Sequence, residues 1–369
     1  EQLNGKLLQG GNSYPLEFQR EKLEKKRLNR PQTPRGPFPY SSEDLSIENT
    51  KDQVNLAGTL LIPDNWNDNS PIMVFITGSG PQTRNEEIFE HEFFWVIADH
   101  LARNGVASFR YDDRGVGEST GSFALATSVD FANDVHSVVN YLSSRKDLEG
   151  HPIGLIGHSE GGMIAPMVAS NNENVELLVS LAGTGISGKE IIRKQSKSML
   201  IAEGLPKEMA SKNSENSMFL LNYVLSSDDS LSVADGMRDK IRAIYSENEI
   251  EESGGIDQLF NQFNASMNNN WFRFFAQHNP AVNWSKVTCA CLIINGTKDM
   301  QVEASANLNA IEFALRRAGN KNYEVHALPS QNHLFQECES GSLSEYGAIE
   351  TSISSETLDL LLLWIIKQS

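Results

Sequence analysis

From about residue 45 onward the chain alternates two hydrophobic patterns. Short apolar runs at residues 54–62, 72–77, 106–111, 153–156 and 175–181 read as strands. Between them, apolar positions recur at helical spacing over residues 92–103 and 128–144, and a further helix opens at Glu160. In the second of these, Phe131, Val135, Val138, Val139 and Leu142 share one face, with Ser128 placed as the N-cap. The alternation returns near the C-terminus, with strands at 289–295 and 323–328 and helices at 303–318 and 356–367. Strands separated by helices need right-handed crossovers, and continuous apolar strands are buried on both faces. The pattern therefore predicts an α/β fold, a mostly parallel sheet with helices on both faces.

Two stretches break this rhythm. Between residues 183 and 285 no strand pattern occurs, only amphipathic helical segments at 190–202, 218–224 and 256–263, with a dense aromatic group at Trp271, Phe272, Phe274 and Phe275. An all-helical block inside an α/β pattern reads as an insertion over one edge of the sheet. The first 40 residues also stand apart. Runs at 6–9 and 14–18 flank Gly10-Gly11-Asn12 as a hairpin would, followed by a charged stretch at 20–30 and a Pro-rich linker at 31–39. The expected organisation is thus an N-terminal hairpin and linker (1–40), the first part of the core (41–185), the helical insertion (186–285) and the second part of the core (286–369).

Composition narrows the partners. Lys and Arg number 31 against 48 Asp and Glu, a formal charge of -17, which argues against nucleic acid because phosphate binding needs clustered cations. No apolar run is long enough for a transmembrane segment. Three cysteines, Cys289, Cys291 and Cys338, match neither a disulfide framework nor a metal-ligand spacing. The chain opens at Glu1 without an initiator Met, as a processed or truncated product would. Oligomeric state leaves no trace in the sequence.

The strongest chemical signal is Gly157-His158-Ser159-Glu160-Gly161-Gly162, directly after a strand and opening a helix. This is the strand–turn–helix context that a nucleophile elbow requires. Reversing direction through one residue strains the serine backbone, and side chains at 157 or 161 would collide with neighbouring strands. The hydroxyl is thereby presented above the carboxyl end of the sheet, with the amide of Glu160 pointing where an oxyanion would form. The competing reading is a Gly-rich turn with an incidental serine.

A serine hydroxyl needs a base, and the base an orienting acid. In this fold class they follow in the order serine, acid, histidine. Asp299 stands just past the strand 289–295, and His333 in the loop after the strand 323–328, with room between them for one helix and one strand. The other histidines fit less well. His158 lies inside the elbow, His91, His100 and His136 in or beside helices, His326 within a strand, His151 at the wrong edge and His278 in the insertion. Glu303 and Asp113 are the alternatives to Asp299. The loop after strand 72–77, Gly78-Ser79-Gly80-Pro81, is built of small residues that let backbone amides approach a substrate, with Ser79 as the second oxyanion donor.

These segments, with Arg110 to Ser119 and Asn295 to Asp299, resemble the α/β-hydrolase superfamily, and more narrowly the bacterial esterases grouped with its serine aminopeptidase-like branch. The resemblance implies an eight-stranded, mostly parallel sheet with a helical cap between strands six and seven. It implies Ser159 as nucleophile, His333 as base, Asp299 as acid, and the amides of Ser79 and Glu160 as oxyanion hole. It implies export, periplasmic or secreted, behind a small β domain. One departure is Thr77, where the family's loop usually begins with histidine, and an altered loop is expected there. Asp112 or Asp113 is expected to brace the region by pairing with Arg114.

The reading that results is a serine-dependent carboxylesterase acting through an acyl-enzyme on small-molecule esters of short to medium acyl chain, calling for no cofactor or metal. Met218, Phe219, Trp271, Phe272 and Phe275 are candidates for its acyl pocket, or else simply the cap's own core. Three alternatives stand beside it. One is an aminopeptidase-like peptidase using the acids at 86–87 and 90–92 to hold an amine. The others are a carbohydrate acetyl esterase and a non-catalytic binding protein on the same scaffold.

Overall fold

The computed structural model describes residues 2–9, 12–19, 28–67, 69–227 and 230–368. Its centre is an eight-stranded sheet formed by β1 (Tyr40–Asn49), β2 (Val54–Pro63), β3 (Ile72–Ile76), β4 (Ala107–Tyr111), β5 (Ile153–His158), β6 (Val175–Leu181), β7 (Ala290–Gly296) and β8 (Tyr323–Leu328). The spatial order is β1-β2-β4-β3-β5-β6-β7-β8. Only the pairs β1–β2 and β2–β4 are antiparallel; the rest are parallel.

The period-two geometry of a strand explains the two cores. Ile72, Val74 and Ile76 of β3 join Leu155 and Ile293 on one face of the sheet, while Met73 and Phe75 join Ile156, Leu292 and Ile294 on the other. The first face is covered by α2 (Ser128–Ser144), α3 (Gly161–Ala169) and α11 (Ala304–Arg317), and the second by α1 (Phe93–Arg103) and α12 (Ser355–Lys367). Each fully buried Leu, Ile or Phe in these layers contributes about 1.5–3 kcal/mol relative to exposure. Sequential strands diverge on either side of β3, which pairs with both β4 and β5. That reversal opens a crevice at the strands' carboxyl ends, where ligands of open α/β sheets bind.

Between β6 and β7, the sixth and seventh strands of the sheet, lies the helical insertion. It contains α4 (Gly188–Ala202), α5 (Lys207–Val224), α6 (Ser230–Ile244), α7 (Glu247–Glu252), α8 (Ile256–Met267), α9 (Asn270–Gln277) and α10 (Ala281–Trp284). Its helices have their own core, with Leu220, Leu221, Val224, Met237, Ile241 and Leu259. A smaller cluster of Met163, Ile191, Phe275 and Val302 seats it on the sheet body.

At the N-terminus, Gln2–Gln9 pairs antiparallel with Asn12–Gln19. The turn glycines 10–11 and residues 20–27 of the charged stretch lie outside the described residues. Arg30, just ahead of the linker, ties it to the body, its guanidinium donating to the carbonyls of Phe89, Gly347 and Ile349. Helix α2 corrects one expectation. Its cap is Thr127, whose N–H donates to Asp130 at 2.7 Å, while Ser128 turns its hydroxyl to Glu160 at 2.6 Å.

Candidate active site

The serine sits where β5 gives way to α3. Ser159 has φ +54°, a left-handed conformation uncommon for a residue with a side chain, and its N–H donates to the carbonyl of Leu181 at 2.8 Å. The flanking glycines permit the turn. A Cβ at 157 would lie 2.1 Å from the carbonyl oxygen of Gly161, and one at 161 would lie 2.1 Å from that of Ile76. Neither backbone can yield, so both positions exclude side chains.

Asp299 and His333 are brought together from the ends of β7 and β8. Asp299 Oδ1 accepts the N–H groups of Gln301 at 2.8 Å and Val302 at 2.9 Å, which aims Oδ2 at His333 Nδ1, 2.6 Å away. Both side chains are buried, the carboxylate completely. With Nδ1–H engaged by the carboxylate, Nε2 is left as the unprotonated ring nitrogen of the neutral imidazole. Ser159 and His333 line one cavity of about 360 Å³. The serine hydroxyl makes no hydrogen bond among the described residues.

The N–H groups of Ser79 and Glu160 have no acceptor among the described residues, and both residues line the cavity. The loop carrying Ser79 is held from beneath by three carboxylates. Thr77 Oγ1 donates to Asp113 Oδ1 at 2.6 Å, and the N–H of Gln82 donates to Asp113 Oδ2 at 2.9 Å. Arg84 forms an ion pair with Asp112 at 2.7 Å. Glu86 Oε1 accepts the N–H of Gly78 at 2.7 Å. Thr77, in the place of the family's histidine, thus shapes the loop through Asp113. Burial, reinforced by the nearby charges of Glu86 and Glu160, pushes the Asp113 carboxyl up to about 8 against the two hydrogen bonds it accepts.

The expected pairing of Arg114 with Asp112 or Asp113 is not what forms. Arg114 instead meets Asp134 at 2.7 Å and Asp52 at 2.8 Å. Adjacent residues leaving a strand point in different directions, so sequence neighbours are poor candidates for partners. Glu303, one alternative to Asp299, caps α11 by accepting the N–H groups of Ser305 and Ala306.

The outer wall comes from the insertion. Trp271, Phe272 and Phe275 of α9 line the cavity with Ile191 and Ile192 of α4 and Val302. Met218 and Phe219 do not. They border a separate groove formed by α4 and α5, and Phe219 is 43% exposed. The helical period of α5 shows that these residues share a region of its surface, not which cavity that surface borders. Trp271 also donates its indole N–H to Glu160 Oε1 at 2.8 Å, beside the Ser128 hydroxyl. Burial raises the Glu160 carboxyl, and hydrogen bonds from Ser128, Trp271 and Ser79 oppose the shift. Of the acids considered as amine anchors, Glu86 reaches the cavity, whereas Glu87, Glu90 and Glu92 line another groove with Arg30 and Arg35.

Several residues at the site carry no sequence signal for being there: Gln82, Thr184, Gln195, Gln301 and Tyr346. Among the described residues no three His, Cys, Asp or Glu side chains are grouped so as to hold a metal ion, and no helix is long and apolar enough to cross a membrane.

Fold and site together define an α/β hydrolase. The model of the serine aminopeptidase S33 family matches residues 90–339, and the chain belongs to that family. It is similar to esterase EstD of Thermotoga maritima, 26% identical over 161 residues that make up 44% of this chain and 37% of that protein. The match therefore spans just over a third of the relative's length. Among solved structures, the Pyrococcus furiosus esterase PF2001 superposes with a TM-score of 0.53 at 14% identity, covering 92% of this chain and 98% of its own. Proline iminopeptidase of Mycobacterium smegmatis does so with a TM-score of 0.53 at 13% identity, over 88% and 98%. At these identities the likeness is one of fold.

Proposed function

We propose that this chain hydrolyses carboxylic esters of short to medium acyl length through an acyl-enzyme on Ser159. One observation carries the reading: His333, bonded through Nδ1 to the buried Asp299 at 2.6 Å, lines the same cavity as a serine held in a left-handed turn. His333 Nε2 takes the hydroxyl proton as Ser159 Oγ bonds to the ester carbonyl carbon. The carbonyl oxygen becomes an oxyanion facing the free N–H groups of Ser79 and Glu160. When the tetrahedral centre collapses, the C–O bond to the alcohol breaks and His333 returns the proton to the leaving alkoxide. Water then repeats the sequence on the acyl-enzyme, releasing the acid and restoring the serine. Asp299 keeps Nδ1 protonated and stabilises the imidazolium that forms in between.

Substrate size follows from the walls. A volume of about 360 Å³ is at the small end for ligand pockets, and Trp271, Phe272, Phe275 and Ile191 supply an apolar side suited to an acyl chain. An aminopeptidase would need a carboxylate free to hold an ammonium group. Glu86 lines the cavity, but its Oε1 is engaged by Gly78 and His158 and its unpartnered Oε2 is buried away from the open surface, which favours the ester. Esterase EstD and the Pyrococcus esterase carry names that agree.

The test is a panel of p-nitrophenyl esters from acetate to octanoate, acetylated sugars and aminoacyl arylamides, run beside Ser159→Ala. Ester turnover should dominate and fall by about 10⁴-fold or more in the variant. Retained turnover in Ser159→Ala would remove the serine from the chemistry.

A further inference from the structure

Behind the serine, two buried side chains that the mechanism leaves unused join the loops on either side of it. The side chains of Glu86 and His158 are 0% and 1% exposed. Glu86 Oε1 accepts the N–H of Gly78 and lies 2.9 Å from His158 Nδ1, while His158 Nε2 lies 3.1 Å from the carbonyl oxygen of His333. A carbonyl oxygen only accepts, so Nε2 must carry a proton. Oε1 faces Nδ1 as a carboxylate oxygen would face a donor. With both ring nitrogens protonated, the row runs without conflict: Gly78 donates to Glu86, and His158 donates to Glu86 at one end and to His333 at the other. A neutral ring with a neutral amide opposite could donate at one end only.

Packing fixes the ring that makes these bonds. It lies 4.9 Å from the ring of Phe93 and 4.8 Å from that of His333, centroid to centroid. The Glu86 carboxylate approaches so closely that a Cβ on Gly78 would stand 3.0 Å from Oε1 and 3.3 Å from the Cβ of Ser159. The charged and titratable groups facing His158 are Glu86 from the loop after β3, Asp299 from the loop after β7 and His333 from the loop after β8. Burial alone would lower the ring, but the Glu86 charge and hydrogen bond, with lesser help from His333 and Asp299, leave it raised.

We propose that Glu86 and His158 are positioning residues, a buried ion pair that spans from the oxyanion loop to the loop bearing the base and holds both in register with Ser159. This rests on the ester-hydrolase reading for its consequence in rate, though not for the pair itself. Misplacing reacting groups by about 1 Å costs on the order of 100-fold, so a slackened span should show in turnover rather than in substrate binding.

Two measurements test it. In Glu86→Gln, which keeps an acceptor for Gly78 but removes the charge, kcat should fall about 10- to 100-fold with KM changed less than about threefold. Independently of any variant, ring ¹⁵N spectra of the wild-type protein should show a histidine with both nitrogens protonated at pH 8, where an exposed histidine (about 6.5) is neutral. His158→Leu identifies the resonance. A folded Glu86→Gln enzyme with kcat within twofold of wild type would overturn the proposal, as would the absence of any doubly protonated ring at pH 8. Should Glu86→Gln fail to fold, the spectrum decides alone. Absent ester turnover in the wild type would instead count against the functional reading, with the spectrum still reporting on the pair.

Discussion

The indole N–H of Trp271 donates to the carboxyl of Glu160 at 2.8 Å, joining the helical insertion to the residue that follows Ser159. One contact therefore links the wall of the cavity to a proposed oxyanion donor. In Trp271→Phe the stack on Phe275, at 5.5 Å between ring centroids, can persist while the hydrogen bond is lost. Glu160 Oε1 keeps the Ser128 hydroxyl as a donor, so the loss is that of one hydrogen bond, about 0.5–1.5 kcal/mol net. We expect a small fall in thermal stability and about a tenfold fall in kcat/KM on short esters, read by calorimetry and steady-state kinetics. An unchanged kcat/KM would uncouple the wall from the elbow.

The two aromatic groups of the insertion should separate cleanly. Phe272→Ala removes part of the cavity wall and should shift preference toward longer acyl chains. Phe219→Ala, in the separate groove, should leave the chain-length profile of the p-nitrophenyl ester series unaltered. Equal effects would place the acyl pocket elsewhere.

Asp113 gives a pH signature. Its carboxyl is pushed up to about 8 in the folded chain, against an ordinary value near 3.8. The folded state therefore binds the proton more tightly than the unfolded state. The stability this contributes is fully present below about 3.8 and drains away as pH rises toward about 8. Asp113→Asn cannot ionise, so its melting temperature should gain on wild type between pH 5 and pH 8. A constant difference across that range would mean that Asp113 does not hold the proton. The groups around it are Thr77, Gln82, Glu86 and Glu160.

Arg114 is the cation of a buried cluster, with Asp134 only 1% exposed and Asn49 donating to the same carboxylate at 2.7 Å. Arg114→Leu strands that charge. Loss of one partner from a buried pair costs about 3–5 kcal/mol, and urea denaturation should show it. A cost below about 1 kcal/mol would indicate that water reaches the cluster.

Much of this was legible in sequence because the signal was local. Strands β3, β5, β6 and β7 are buried on both faces and read as continuous apolar runs. The elbow announces itself through glycines that must be glycine. Asp299 and His333 stand just past strands in the sequence, and the parallel sheet brings such positions to one rim, where the two side chains meet. What stayed hidden lacks a local pattern. Strand β1 has only Ile47 and Asn49 buried, so no apolar run marks it. Glu86 and His158 are 72 residues apart and meet only because the loop after β3 folds beneath the elbow. Met218 and Phe219 lie on a helix whose apolar positions are evident from periodicity, but periodicity carries no information about which surface of an insertion faces the sheet.

The central claim is that the hydroxyl of Ser159 is made reactive by an imidazole arriving from the far end of the chain. A fluorophosphonate probe, followed by peptide mapping in a mass spectrometer, addresses it directly. We expect one adduct per chain, on Ser159, formed rapidly in the wild type and at least about 100-fold more slowly in His333→Ala. An unlabelled serine at 159, or labelling just as fast without the imidazole, would contradict it.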